Sequence, residues 1–340
     1  MPKKTVEEDA ILLAELSKVL LSKGITAITD LMALKMPVNY YDIYTSAKEK
    51  VFKQRTVLYY MWDHIENQST IETEKLDREK AIHIGGIKLF SDGSVSGQTA
   101  WVSEPFVGTE DNCGIQTVTE KELLDAAEAA KQNSIQLVIH AMGEQAIDFI
   151  INTFAEIPAW LEDGPSIRLE HAALPTEKAI QRMAEEKIAV VTQPIFQFAE
   201  IESYINNIGL ERTQKAYPIQ SLLKAGVPVA FSSDAPATAW ADPVNPFVTI
   251  QSAITRVACT DTGQQERVDV ATAIELYTRA AQEITRIPNI GQLKEGYSAD
   301  FIVLDQDILS IEANKIGEIS VEQTYISGSL VYQKEVAEIS

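Results

Sequence analysis

The chain is poor in the residue types that usually announce chemistry. Its 340 residues include two cysteines, Cys113 and Cys259, and four histidines, His64, His83, His140 and His171. Two cysteines this far apart define no disulfide framework, and a reduced, cytoplasmic setting is expected. No HExxH, CxxC or His-x-His occurs, so the local spacing motifs of a zinc site are missing. Charges interrupt every apolar run within a few residues, so no stretch can span a bilayer. The opening MPKKTVEEDA lacks the apolar stretch of a signal peptide. Positive charge is scarce as well: 29 lysines and arginines face 49 aspartates and glutamates, a formal net charge of -20. A chain this acidic, with no basic cluster, repels phosphate backbones, and nucleic acid is not expected as a partner.

Apolar residues make up 45%, enough for a large core. Thr5 and Glu8 fit a capping box, after which Ile11, Leu12, Leu16, Val19 and Leu20 recur at helical spacing. Apolar strands then alternate with polar loops and helical patterns. Strands are expected at 25–29, 56–62, 85–90, 135–140, 166–172, 188–193 and 227–233. Helices are expected at 120–132, with Thr119 and Glu122 as a second capping box, and at 144–156, 177–187, 213–225 and 269–285. Such alternation implies parallel βα units with right-handed crossovers. Seven strands fall one short of a closed (β/α)8 barrel. Short β segments at 299–305, 321–327 and 330–333 follow. The expected organisation is a barrel unit over 1–285 and a small β appendage over 286–340.

Four polar residues stand at or near the C-terminal ends of these strands: Lys88 in GGIKLF, His140 ending IQLVIH, His171 in SIRLEHA and Asp234 after VAFSS. In a parallel barrel those ends share one mouth, where active sites form. Each has a plainer explanation: a hydrogen-bonded structural histidine, a helix-capping aspartate, an edge-strand lysine. Their convergence favours chemistry, and two imidazoles, a carboxylate and a lysine suit a divalent metal such as zinc. Burial would also depress the Lys88 pKa, which leaves open a Schiff-base lyase. His83 sits at the start of its strand and reads as structural, whereas His64 lies near the mouth.

The segments IKLFSDGSVSGQTA (87–100), LVIHAMGEQAID (137–148), RLEHAALPT (168–176), VTQP (191–194), FSSDAPATAWADP (231–243) and GQLKEGYSADFIVLDQD (291–307) together resemble the amidohydrolase superfamily. They are most similar to amidohydrolase family 3, which includes N-substituted formamide deformylases. The resemblance implies a TIM-type (β/α)8 metal-dependent hydrolase barrel with a small C-terminal β-sandwich remnant. It implies that Lys88, carbamylated, His140, His171 and Asp234 bind metal, one or two ions and most readily zinc, and that Asp234 also shuttles a proton. Arg168 and Glu170 would flank His171, and Trp62, Asp92, Ser94, Arg168 and Gln193 would line the pocket. The superfamily's His-x-His is absent and the strands fall one short of eight, so the expectation is a shortened member whose barrel lacks its first strand; Glu144 in place of a usual aspartate is a mild change. The implied reaction is hydrolysis of a C–N bond in a small-molecule amide or formamide by metal-activated water. The alternative is a non-catalytic barrel that has lost its metal centre. An open barrel should also be covered, by the N-terminal helix, a completing segment or a second copy in a homo-oligomer.

Overall fold

The computed structural model describes residues 5–67, 69–258 and 260–335. Seven strands, β1 (Ala27–Ala33), β2 (Arg55–Met61), β3 (Ile82–Phe90), β4 (Gln136–Ala141), β5 (Ile167–His171), β6 (Ala189–Thr192) and β7 (Val229–Phe231), form one parallel sheet in sequence order. The sheet curls into an α/β half-barrel of TIM-like type, with β1 and β7 at its two edges. All seven expected strands are present, because each is a short apolar run bounded by turn residues.

Strand alternation sorts the side chains into two layers. Leu58, Tyr60, Ile87, Leu89, Leu137, Ile139, Leu169 and Val190 pack outward into the large core beneath the helices. Val57, Tyr59 and Val138 face inward with Ile287 and Ile290, and Ala189, Val191 and Ala230 do so with Ile284. The concave face is therefore filled from the end of the helix Arg279–Thr285 and the chain just after it. Each fully buried isoleucine there contributes roughly 2 kcal/mol.

Both capping boxes form: Thr5 caps the helix Val6–Ser22 with Glu8, and Thr119 caps Glu120–Gln132 with Glu122. The buried face of the first helix differs from the expected one. Ala10, Ala14, Ser17, Leu20 and Leu21 are buried, while Ile11, Leu12, Leu16 and Val19 are exposed. Small residues allow close approach to the helix Tyr40–Lys50, and the same helix contacts the C-terminal strands. Two expected helices are each broken. Pro218, which has no N–H, separates Ile201–Lys215 from Ile219–Ala225, and Thr278 (φ -122°, ψ -87°) separates Val270–Tyr277 from Arg279–Thr285.

The C-terminal strands β8 (Phe301–Leu304), β9 (Val321–Ile326) and β10 (Ser329–Gln333) form a single antiparallel sheet in the order β10-β9-β8. Thr324 Oγ1 donates to Leu21 O (2.7 Å), and Arg55 pairs with Asp300, tying this sheet to the first helix and to β2. Cys113 is half-buried, and Cys259 lies outside the described residues. Among the described residues no helix is long and apolar enough to cross a membrane.

Candidate active site

Parallel pairing aligns the central strands rung by rung. Lys88 stands level with Val138 and Arg168; two residues on, Phe90, His140 and Glu170 form the next rung of the same face. That face is the concave one, since Val138 belongs to the inner cluster. His171 pairs with Ala141, whose side chain packs outward, so strict alternation would turn the imidazole away. Its φ of 72°, followed by 45° at Ala172, departs from strand geometry, and its ring meets that of His140 with centroids 4.5 Å apart. Asp234, three residues beyond β7, also has a left-handed φ, 50°. Two of the four expected residues thus hold backbone conformations that cost free energy and persist only when surrounding structure enforces them.

His140 Nε2 lies 2.8 Å from Gly93 O and must carry the proton it donates there, leaving Nδ1 with the free lone pair. Phe90 fills the space between the basic groups: its ring centroid is 5.0 Å from that of His140 and 4.6 Å from Lys88 Nζ. His171 Nδ1 and Gln193 Oε1 are both buried with no partner in good hydrogen-bond geometry, although Gln193 stands close enough to favour the protonated ring. Among the described residues no three His, Cys, Asp or Glu side chains stand close enough together to hold a metal ion.

Burial sets the protonation of the cluster. It holds His140 down to about 3, and the Lys88 charge acts in the same direction. His171 is held well below the usual imidazole range by burial, then by His140 and Lys88. Both rings are therefore neutral at physiological pH. Lys88 is drawn down to about 8 by burial, against the pull of Glu170. Asp234 is open to solvent on one side but crowded by protein on the other; desolvation and then Glu170 push it up to about 6, with Lys88 opposing.

The expected pocket residues divide. Gln193, just past β6, reaches Ser232 Oγ (2.8 Å) and adjoins His171. Asp92 is a buried anchor: it accepts from Trp101 N (2.9 Å), Met142 N (3.0 Å) and Gly143 N (2.8 Å), and its Oδ1 is 3.5 Å from His140 Nε2. Burial pushes its carboxyl up to about 7 against those three N–H groups. Ser94 organises a turn, accepting from Gly97 N and, through its carbonyl, from Thr99 N. Arg168 lies inside the half-barrel below the mouth, bonding Glu170 (2.5 Å) and Tyr59 Oη (3.3 Å); Tyr59 in turn donates to Gln136. Trp62 packs outward into the helix-side core, so it is a core residue of the structure. His83 is buried at the opposite, N-terminal end of β3. The sequence reading missed Phe90 and Phe196, whose rings flank the two histidines; an aromatic ending an apolar strand, or opening a short helix as Phe196 does, carries no distinguishing signal.

Fold and site together define an α/β barrel-type protein with a buried basic cluster at the C-terminal ends of its central strands. The chain belongs to the amidohydrolase family, whose sequence profile matches residues 1–332. YtcJ of Bacillus subtilis (strain 168) is 30% identical over 259 residues, covering 74% of this chain and 48% of that protein. N-substituted formamide deformylase of Arthrobacter pascens is 28% identical over 255 residues, covering 74% and 46%. The crystal structure of an uncharacterized metal-dependent hydrolase from Pyrococcus furiosus superposes with a TM-score of 0.75 at 26% identity, covering 90% of this chain and 62% of that one. The chain spans about half the length of the curated relatives it matches.

Proposed function

We propose that the protein is a metal-dependent hydrolase of C–N bonds in amides or formamides. The observation that carries this is the pair of neutral, buried imidazoles at the mouth, one with an unpartnered Nδ1. An orphaned imidazole nitrogen in a buried site costs free energy unless something takes its lone pair. By chemistry the two neutral imidazoles, His140 and His171, suit a divalent ion, most readily zinc; Asp234 and Lys88 would complete the set only by drawing closer to them than they stand here. Carbamylation of Lys88, in which the neutral amine adds carbon dioxide and releases a proton, would supply a further carboxylate and accommodate a second ion. A bound divalent ion would polarise the substrate carbonyl and acidify water.

The residues of the chain do the rest. Asp234 takes a proton on its carboxylate as the water oxygen bonds to the carbonyl carbon. It returns that proton to the leaving nitrogen as the C–N bond breaks. Asp92 holds the loop 93–101 against β4, and Gly93 O fixes the tautomer of His140. Phe90 and Phe196 keep water from the backs of the two rings. We also propose the division into a barrel unit, 1–285, and a β appendage, 286–340, for which the change from parallel to antiparallel pairing speaks. The two open sheet edges support association with a second copy or a completing segment, and low cysteine content supports a cytoplasmic setting.

The test is amine release from a panel of N-formyl and N-acyl amines with zinc or manganese present. Hydrolysis by the wild type, lowered about 10²–10⁴-fold in kcat by Asp234→Asn, is expected. Absence of turnover across the panel would favour the non-catalytic alternative, which the lack of a tight three-ligand group among the described residues also favours.

A further inference from the structure

A second site, with two arginines, lies at the other end of the sheet. A cavity of about 240 Å³ opens beside the N-terminal ends of β3 and β4, lined by Leu76, Arg78, Gly85, Ser134 and Arg286 among others. We propose that it binds a small oxyanion, a phosphate or carboxylate group, remote from the mouth. Arg78 and Arg286 converge there on one carboxylate. Arg78 Nη2 lies 2.5 Å from Asp163 Oδ2, and Arg286 Nη2 and Nε lie 2.7 and 3.1 Å from Oδ1. Asp163 and the nearby Asp77 balance the two guanidinium charges, so the site is locally near neutral within a chain of formal charge -20, and its attraction for an oxyanion rests on directed N–H donors.

The donors are also under-used. Besides Asp163, Arg78 Nη1 reaches Arg286 O and Arg286 Nη1 reaches Ser134 O, both at a long 3.4 Å. A guanidinium offers five N–H groups in a planar fork suited to oxyanions, so both arginines retain donors for a ligand. The nearby Asp77 carboxylate accepts from Glu79 N (3.0 Å). Arg286 is also held in place: its side chain lies over Gly164, where a Cβ would come within 2.7 Å of Arg286 Cγ. A pre-positioned arginine loses little freedom on binding. Gly85 contributes backbone to the β3 wall of the cavity, and a Cβ there would stand 2.2 Å from Val57 Cγ1.

Calorimetric titration of the full chain with inorganic phosphate, and separately with acetate, at constant ionic strength tests the proposal. Saturable binding of one anion per chain is expected, and whichever binds more tightly identifies the group. Arg286→Gln should weaken it about tenfold or more, and Arg78→Gln, at a more exposed position, should do the same without risk to folding. Asp163→Asn removes the competing carboxylate and should tighten binding, an outcome that a merely structural ion-pair cluster would not give. No saturable heat for either anion with both wild type and Asp163→Asn, or binding indifferent to both arginine substitutions, would overturn it.

Discussion

Lys88 is 3% exposed, with the Phe90 ring against its ammonium and no carboxylate within ion-pair distance among the described residues. A buried cation without a direct partner is kept at a cost to stability. Replacing it by methionine should therefore stabilise the fold at pH 7 by about 1–3 kcal/mol while removing activity. The sign follows from protons. With the folded pKa at about 8 and the ordinary value 10.5, the unfolded chain binds more protons between these, so wild-type stability rises with pH across that window. Lys88→Met should lack that rise; denaturant titrations at pH 7 and 10.5 check both points, and a less stable variant at pH 7 would refute the expectation. His83 gives a second case. Burial holds it down to about 4, so between 4 and 6.5 the unfolded chain again binds more protons. Its contribution is fully present above 6.5 and is lost as pH falls through 4, on the order of 3 kcal/mol. Asp92 and Asp234 act with the opposite sign in an overlapping window, so the observable is the difference between wild type and His83→Gln across pH 4–7. Lys88, His140 and His171 were legible because each is a polar residue in an otherwise apolar strand. Trp62 was misleading because large aromatics mark cores and pockets alike.

The loop after β3 and the turn after β4 are locked together by one carboxylate and one glycine. A Cβ on Gly143 would stand 2.0 Å from Trp101 O, where the backbones of the two segments touch. Gly143→Ala should cost about 1–3 kcal/mol through forced backbone displacement, and should lower activity because Asp92 and Gly93 move with it. Urea unfolding and kcat/KM measured together decide this; a variant equal to wild type in both would show that the two segments are not coupled. Strands were easier to read than helices for a physical reason. A buried parallel strand is a bounded apolar run, whereas helix ends depend on single residues such as Pro218 and Thr278. The first helix was read by its largest apolar residues, yet close helix packing selected Ala10, Ala14 and Ser17 instead. The helix Tyr40–Lys50 escaped notice because its tyrosines and lysines blur the apolar face.

Across the whole chain, the alternation of strand and helix was enough to read a parallel α/β fold, and the strand order follows the sequence without exception. What pattern alone did not reveal is how the concave face is filled, because Ile284, Ile287 and Ile290 arrive from a segment far along the chain. The tail was legible as short β segments but not in its arrangement as a single sheet, since pairing partners are set by turns and tertiary contact rather than by composition. The proposed chemistry depends on the two neutral histidines at the mouth serving as ligands. Elemental analysis of protein purified without chelator, on wild type and on His140→Ala/His171→Ala, measures this directly. One or two divalent ions per wild-type chain, falling about tenfold or more in the double variant, is the predicted result. A wild-type chain that carries no metal and takes none up from added zinc would contradict it.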